Sequence, residues 1–157
     1  MQSNLGMHEH VDNLVSKAGQ GMYALKILKS NGLADRVLNT VSQATLLSPM
    51  TYASVAWWGF ANSEDRARLQ SSLNRAHRWG LFDSALPPNF SNLCDKADGK
   101  FFSKICSTPD HILHSMLPAQ RSTHYNFRAR SHNYALPLSS PCLQRNFLHR
   151  LLFKDAY

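Results

Sequence analysis

The sequence predicts an all-α protein: a three-helix bundle whose second helix is bent at Pro49, then shorter helices, an extended basic segment and a C-terminal helix. Three observations carry this reading. Apolar residues recur at three- and four-residue spacing through three successive segments, the pattern of a helix with one buried face. Stop signals, Asn31-Gly32 and Gly80, stand where those patterns end. The links between the segments run two to five residues, short enough for neighbouring helices of one bundle.

The first helix lies in "HVDNLVSKAGQGMYALKILKSNG", with Val11, Leu14, Val15, Ala18, Met22, Leu25 and Leu28 on the apolar stripe. Lys17, Lys26 and Lys29 fall on its other faces. Gly19 and Gly21 each weaken a helix interior by roughly 1 kcal/mol relative to alanine, so they mark either close backbone packing or a plain loss of stability.

The second helix is read from "LADRVLNTVSQATLLSPMTYASVAWWG". Asp35 suits its N-terminus, and Val37, Leu38, Val41, Thr45 and Leu46 form the stripe. Pro49 lacks the N–H and crowds the preceding turn, so a kink or break is expected there. Trp57 and Trp58 point about 100° apart on a helix, which predicts one in the core and one at its rim.

In the third, "NSEDRARLQSSLNRAHRWGLF", Ser63 fits the N-cap, with Glu64 and Asp65 in the first turn where the dipole favours acids. Leu69, Leu73 and Ala76 face inward, and Arg66, Arg68, Arg75 and Arg78 lie mostly elsewhere. The bundle is assigned to residues 1–82.

Residues 83–90 read as a Pro- and Ser-bearing linker, and 91–157 as a C-terminal region. In it, Ser91 begins a helix through Cys94, Ala97, Phe101 and Ile105, and Thr108-Pro109 precedes a short helix, "DHILHSML". An extended stretch, "YNFRARSHNYALP", follows, and "LQRNFLHRLLFKDAY" closes the chain as an amphipathic helix.

Composition bounds the function. The 157 residues are 43% apolar and 17% charged, sufficient for an ordinary globular core. Seventeen Lys and Arg against ten Asp and Glu give a net charge of +7, which favours a polyanion partner, nucleic acid before an acidic membrane surface. The excess is uneven: from Gln120 to Tyr157 six basic residues face one acid, Asp155. The longest apolar stretch, from Leu46 to Ala61, is too short and too polar to span a bilayer, so no membrane is expected. Cys94, Cys106 and Cys142 are odd in number and widely spaced, as in a reducing compartment.

Catalytic patterns are sparse. Asp12, Asp35, Glu64, Asp65, Asp95, Asp98 and Asp110 sit at helix starts or on faces read as solvated. There is no Gly-rich phosphate loop, GxSxG, HExxH or paired CxxC. Cys94, Cys106, His111 and His114 offer a Cys₂His₂ zinc alternative, but the eleven residues between the cysteines exceed the two to four of a zinc finger.

Taken together the segments resemble the C-terminal part of reverse transcriptases from non-LTR (LINE-type) retrotransposons. "QSNLGMHEHVDNLVSKAGQGMYALKILKSNGL" looks like the end of the palm and the first thumb helix, although Met7 and His8 stand near the family's usual aromatic. "VLNTVSQATLLSPMTYASVAWWG" resembles the second thumb helix, with Tyr52 and Trp57 in place. "LQSSLNRAHRWGL" resembles the next, carrying Leu69, Arg75, Ala76 and Arg78, and "YNFRARSHNYALP" with the closing helix resembles the arginine-bearing tail.

The resemblance implies a thumb that grips a template–primer duplex by its phosphates, with Lys17, Lys26, Lys29, Arg75 and Arg78 as gripping residues. In the tail, Arg128 and Arg130 would share the basic side of an extended segment whose other side carries Tyr125, Phe127 and Ala129. The family's Asp-Asp box is absent, and with it the carboxylates that would converge on Mg²⁺. The expectation is therefore a fragment that does not polymerise by itself, has no catalytic residue or cofactor of its own, and partners weakly with RNA or DNA backbone and with a missing palm. The alternative is a helical protein-interaction module with no nucleic-acid role.

Overall fold

The computed structural model describes residues 7–121, 132–138 and 143–154. Among them are seven α-helices: α1 (Met7–Ser30), α2 (Asp35–Ser42), α3 (Ser48–Thr51), α4 (Ser54–Trp57), α5 (Ser63–Arg78), α6 (Phe90–Ser107) and α7 (Phe147–Phe153). No strand occurs among the described residues. Among the described residues a single antiparallel bridge, Gln120 with Tyr134, is the extended pairing. The fold is all-α.

The stripe of α1 is buried as the spacing predicts at Val11, Ala18, Met22 and Leu25, while Leu28 is exposed. The two glycines separate. A Cβ on Gly21 would stand 3.1 Å from the Leu46 side chain, so Gly21 lets α1 approach the second segment; a Cβ on Gly19 would meet nothing. Gly32, at φ +85°, closes the helix: its N–H bonds the Lys29 carbonyl and the Leu33 N–H bonds that of Leu28.

The second segment departs from a helix bent at Pro49. Residues Gln43–Leu47 form a π-helical turn between α2 and α3, closed by the Ser48 N–H on the Gln43 carbonyl. Pro49 then sits in the first turn of α3, where a missing N–H goes unmissed. The wider turn accommodates the ring that would otherwise crowd the carbonyl four residues back. The break falls later, at Tyr52–Ala53, where Ala53 takes the left-handed conformation (φ 50°). Because the chain there passes from α4 into a 3₁₀ turn (Trp58–Phe60), Trp57 and Trp58 are both buried rather than divided between core and rim. Phe90 stacks on the first at 6.2 Å and meets the second edge-on at 5.3 Å.

The N-cap of α5 is Asn62, one residue before the expected Ser63; its side chain accepts from the Asp65 N–H. Asn89 caps α6 in the same way, so that helix starts at Phe90 rather than Ser91. The short helix after Pro109 is a 3₁₀ segment, Ile112–Met116, started by the His111 ring accepting from the Leu113 N–H.

The larger core joins α1 to α5 and the first half of α6, from Val11 to Phe90 and Cys94. A smaller one gathers Phe102, Tyr134, Leu151 and Leu152. The sequence boundary at 83–90 thus separates two stretches that share α6. Gly59 fixes how the tail docks: a Cβ there would collide with the Arg145 carbonyl and lie 3.1 Å from the Arg150 guanidinium.

Candidate nucleic-acid interface

α1 and α5 pack side by side and run parallel, because contacts tie both pairs of ends. At the N-terminal ends His8 bonds Asp65 (2.8 Å) and Arg68 pairs with Asp12. At the C-terminal ends Lys26 stands over the Trp79 ring, 5.3 Å from its centroid. Lys29 donates to the carbonyls of Trp79 (3.1 Å) and Gly80 (2.9 Å).

That second tie follows from how α5 stops. Gly80, at φ +64°, donates to the His77 carbonyl and Leu81 to that of Ala76, the same closure that ends α1. The closure leaves the carbonyls of Trp79 and Gly80 pointing outward, and the Lys29 ammonium takes both. A Cβ on Gly80 would collide with that ammonium.

The parallel pairing segregates charge. Glu9, Glu64 and Asp65 occupy the first turns, and Lys29, Arg75, His77 and Arg78 the last. Two parallel helices gather about −0.5 charge each at the C-terminal end. Lys26, Lys29, Arg75 and Arg78 outweigh that sum, so the end stays net positive. Arg75 and Arg78 are exposed and form no ion pair among the described residues.

The predicted contact residues divide accordingly. Lys26, Lys29, Arg75 and Arg78 come together, although Lys26 and Lys29 also hold α5 rather than standing free. Lys17 is exposed but lies nine residues before Lys26, about 13 Å along the helix axis, and is not part of the cluster. Arg128 and Arg130, with Tyr125, Phe127 and Ala129, lie outside the described residues.

Sequence reasoning missed Trp79. Its position just before the stop glycine of an arginine-bearing helix was the available signal. It also missed the burial of two acids. Asp65, read as a first-turn acid and found there, and Asp98, read on a solvated face, are buried, with 1% and 3% of their surface exposed. Asp65 serves His8 and, at 3.8 Å, Arg68. Its hydrogen bond, foremost, then Asp12 nearby, raises the His8 pKa above its ordinary value, while the Arg68 hydrogen bond lowers that of Asp12.

Asp98 pairs with Arg150 of α7 at 2.6 Å, and burial pushes its carboxyl pKa up despite that partner. A cavity of about 320 Å³ opens beside the pair, lined by Asp95, Asp98, Arg150, Leu151, Phe153 and Lys154.

The zinc alternative loses its geometry. Cys94 and Cys106 sit on one helix, twelve residues and therefore about 18 Å apart along its axis. Cys94 is buried, and burial pushes its thiol up to about 12. The His111 and His114 rings bond local backbone instead. Among the described residues no three His, Cys, Asp or Glu gather as metal ligands, and no helix is long and apolar enough to cross a membrane.

No protein-family model, curated protein or solved structure matches the chain.

Proposed function

We propose that the chain binds RNA or DNA through the phosphate backbone, using the paired C-terminal ends of α1 and α5. The supporting observation is the convergence there of Lys26, Lys29, Arg75 and Arg78 in excess of the helix dipoles. Such a cluster recognises phosphates by charge, without reading sequence. The resemblance of the segments to the LINE-type thumb gives the proposal its context: a thumb-and-tail portion of an RNA-directed DNA polymerase, with the polymerising palm supplied elsewhere and no catalytic residue assigned here.

Filter binding across a salt series tests it. Four phosphate contacts give a slope of about −3 to −4 in log K against log salt on duplex DNA. No retention of labelled nucleic acid at low salt would remove the proposal.

A second reading rests on a different face of α1. Tyr23 and Ile27, one turn apart, are 66% and 44% exposed. An apolar turn on a solvent face suits a helical protein-interaction module. Concentration-dependent sedimentation, unaffected by salt, would favour that reading.

A further inference from the structure

We infer that Trp79 is a stacking platform for an unpaired nucleobase, so that the basic end prefers single-stranded to duplex nucleic acid. The inference rests on the phosphate-binding reading above and adds to it the class of nucleic acid.

Trp57 and Trp58 are buried at 5% and 4%, whereas Trp79 is 36% exposed. About a third of Trp79 thus remains open to solvent at the end of the helix pair, an apolar surface that a stacked ring can cover. Its backbone is pinned: the Trp79 N–H bonds the Arg75 carbonyl at 3.1 Å and its own carbonyl takes the Lys29 ammonium. The backbone that carries the ring is therefore fixed at the end of the helix pair, so binding need not order it.

Its neighbours are phosphate ligands by type. Arg78 precedes it, Arg75 lies one turn back, and the Lys26 ammonium rests over the ring. An aromatic face among cations is the arrangement that holds single strands, the base stacking while the backbone follows the charge. A duplex keeps its bases stacked on each other and offers the ring only a terminal pair. In the absence of nucleic acid, Lys26 occupies the indole; with a base stacked there, the same ammonium is free to meet the flanking phosphate.

The test uses the full chain at low salt with a labelled twelve-nucleotide thymidine oligomer and a labelled twelve-base-pair duplex, reading affinity by filter retention and engagement of the ring by intrinsic tryptophan fluorescence. The expected result is quenching by the oligomer, with affinity falling about tenfold in Trp79→Ala and largely kept in Trp79→Phe. Because Trp57 and Trp58 are buried, the quenched signal should vanish in both variants. Binding of both nucleic acids with unchanged fluorescence and undiminished affinity in Trp79→Ala would overturn the stacking site while leaving the backbone grip standing. Failure of both nucleic acids to bind at low salt would overturn the stacking site and the backbone grip together. Circular dichroism of the variants confirms that the helices remain.

Discussion

The two ends of the α1–α5 pair are built from the same helices and use charge in opposite ways. At the N-terminal end the charges answer one another: His8 and Arg68 share Asp65 and Asp12 within the fold. At the C-terminal end the cations answer the backbone, Lys29 on two carbonyls and Lys26 on a ring, while Arg75 and Arg78 are left to solvent. Parallel packing makes the contrast unavoidable, since it sets like ends of two dipoles together. One end becomes a structural clasp and the other a positive surface. Charge at the first should therefore govern stability, and charge at the second should govern binding.

The largest test of that division is Asp65→Ala. It removes a buried carboxylate from two cationic partners and should lower stability by about 2 kcal/mol. Thermal unfolding should show a loss of roughly 4–8 °C with the salt slope of nucleic-acid binding unchanged. A stability loss within error would mean that the clasp is ornamental. Next comes the double variant Arg75→Ala, Arg78→Ala. Nucleic-acid affinity at low salt should fall about tenfold, and the slope should flatten by about two units, with the melting temperature held within a degree or two. A matching fall in stability would erase the distinction between the ends.

The smallest effect is a pH dependence. The folded-state pKa of His8 is raised, chiefly by its hydrogen bond to Asp65. Its contribution is thus fully present below the ordinary histidine value and is lost as pH rises through the raised one. Asp12 has the opposite sense: its pKa is lowered by Arg68, so its contribution holds above the ordinary carboxylate value and is lost as pH falls through the lowered one. Melting measured from acid to mildly alkaline pH should show the His8 component disappear in His8→Asn. An identical profile in that variant would place the titration elsewhere.

Much of the helical scaffold was legible because it depends on short-range pattern. The stripe Val11, Ala18, Met22, Leu25 is a periodicity that any window along α1 contains, and Gly32 and Gly80 are stops whose left-handed backbone is a local need. Pro49 was legible as a disturbance but not in its form. A π turn accommodates it beforehand, and the true break waits for Ala53, for which the sequence offers no glycine or asparagine.

The site was half legible. Four basic residues could be named one by one, but their convergence depends on α1 and α5 being parallel, which periodicity does not encode. Lys29 and Gly80 are 51 residues apart in the chain, and Asp98 and Arg150 are 52. No local signal tells an acid at a helix start on the surface from one, such as Asp65, under a neighbouring helix. Trp79 was passed over although its place before the stop glycine marked the end of the helix, because its exposure is decided by what packs beside α5.

α6 is a party wall. Phe90 and Cys94, near its start, bury into the larger core, and Phe102, three turns on, into the smaller. Damage to the smaller cluster should therefore loosen the helix from its Ser107 end, where Ile105 is still buried, before it reaches the turn that supports Trp57 and Trp58. The Asp98–Arg150 pair stands between those two stretches, on the side that α7 covers. It works as a latch: while it holds, opening the tail means exposing a buried carboxylate, and once it lets go the remaining wall still belongs to the bundle. Amide exchange along α6 should accordingly be graded, slowest around Cys94 and faster with each turn toward Ser107.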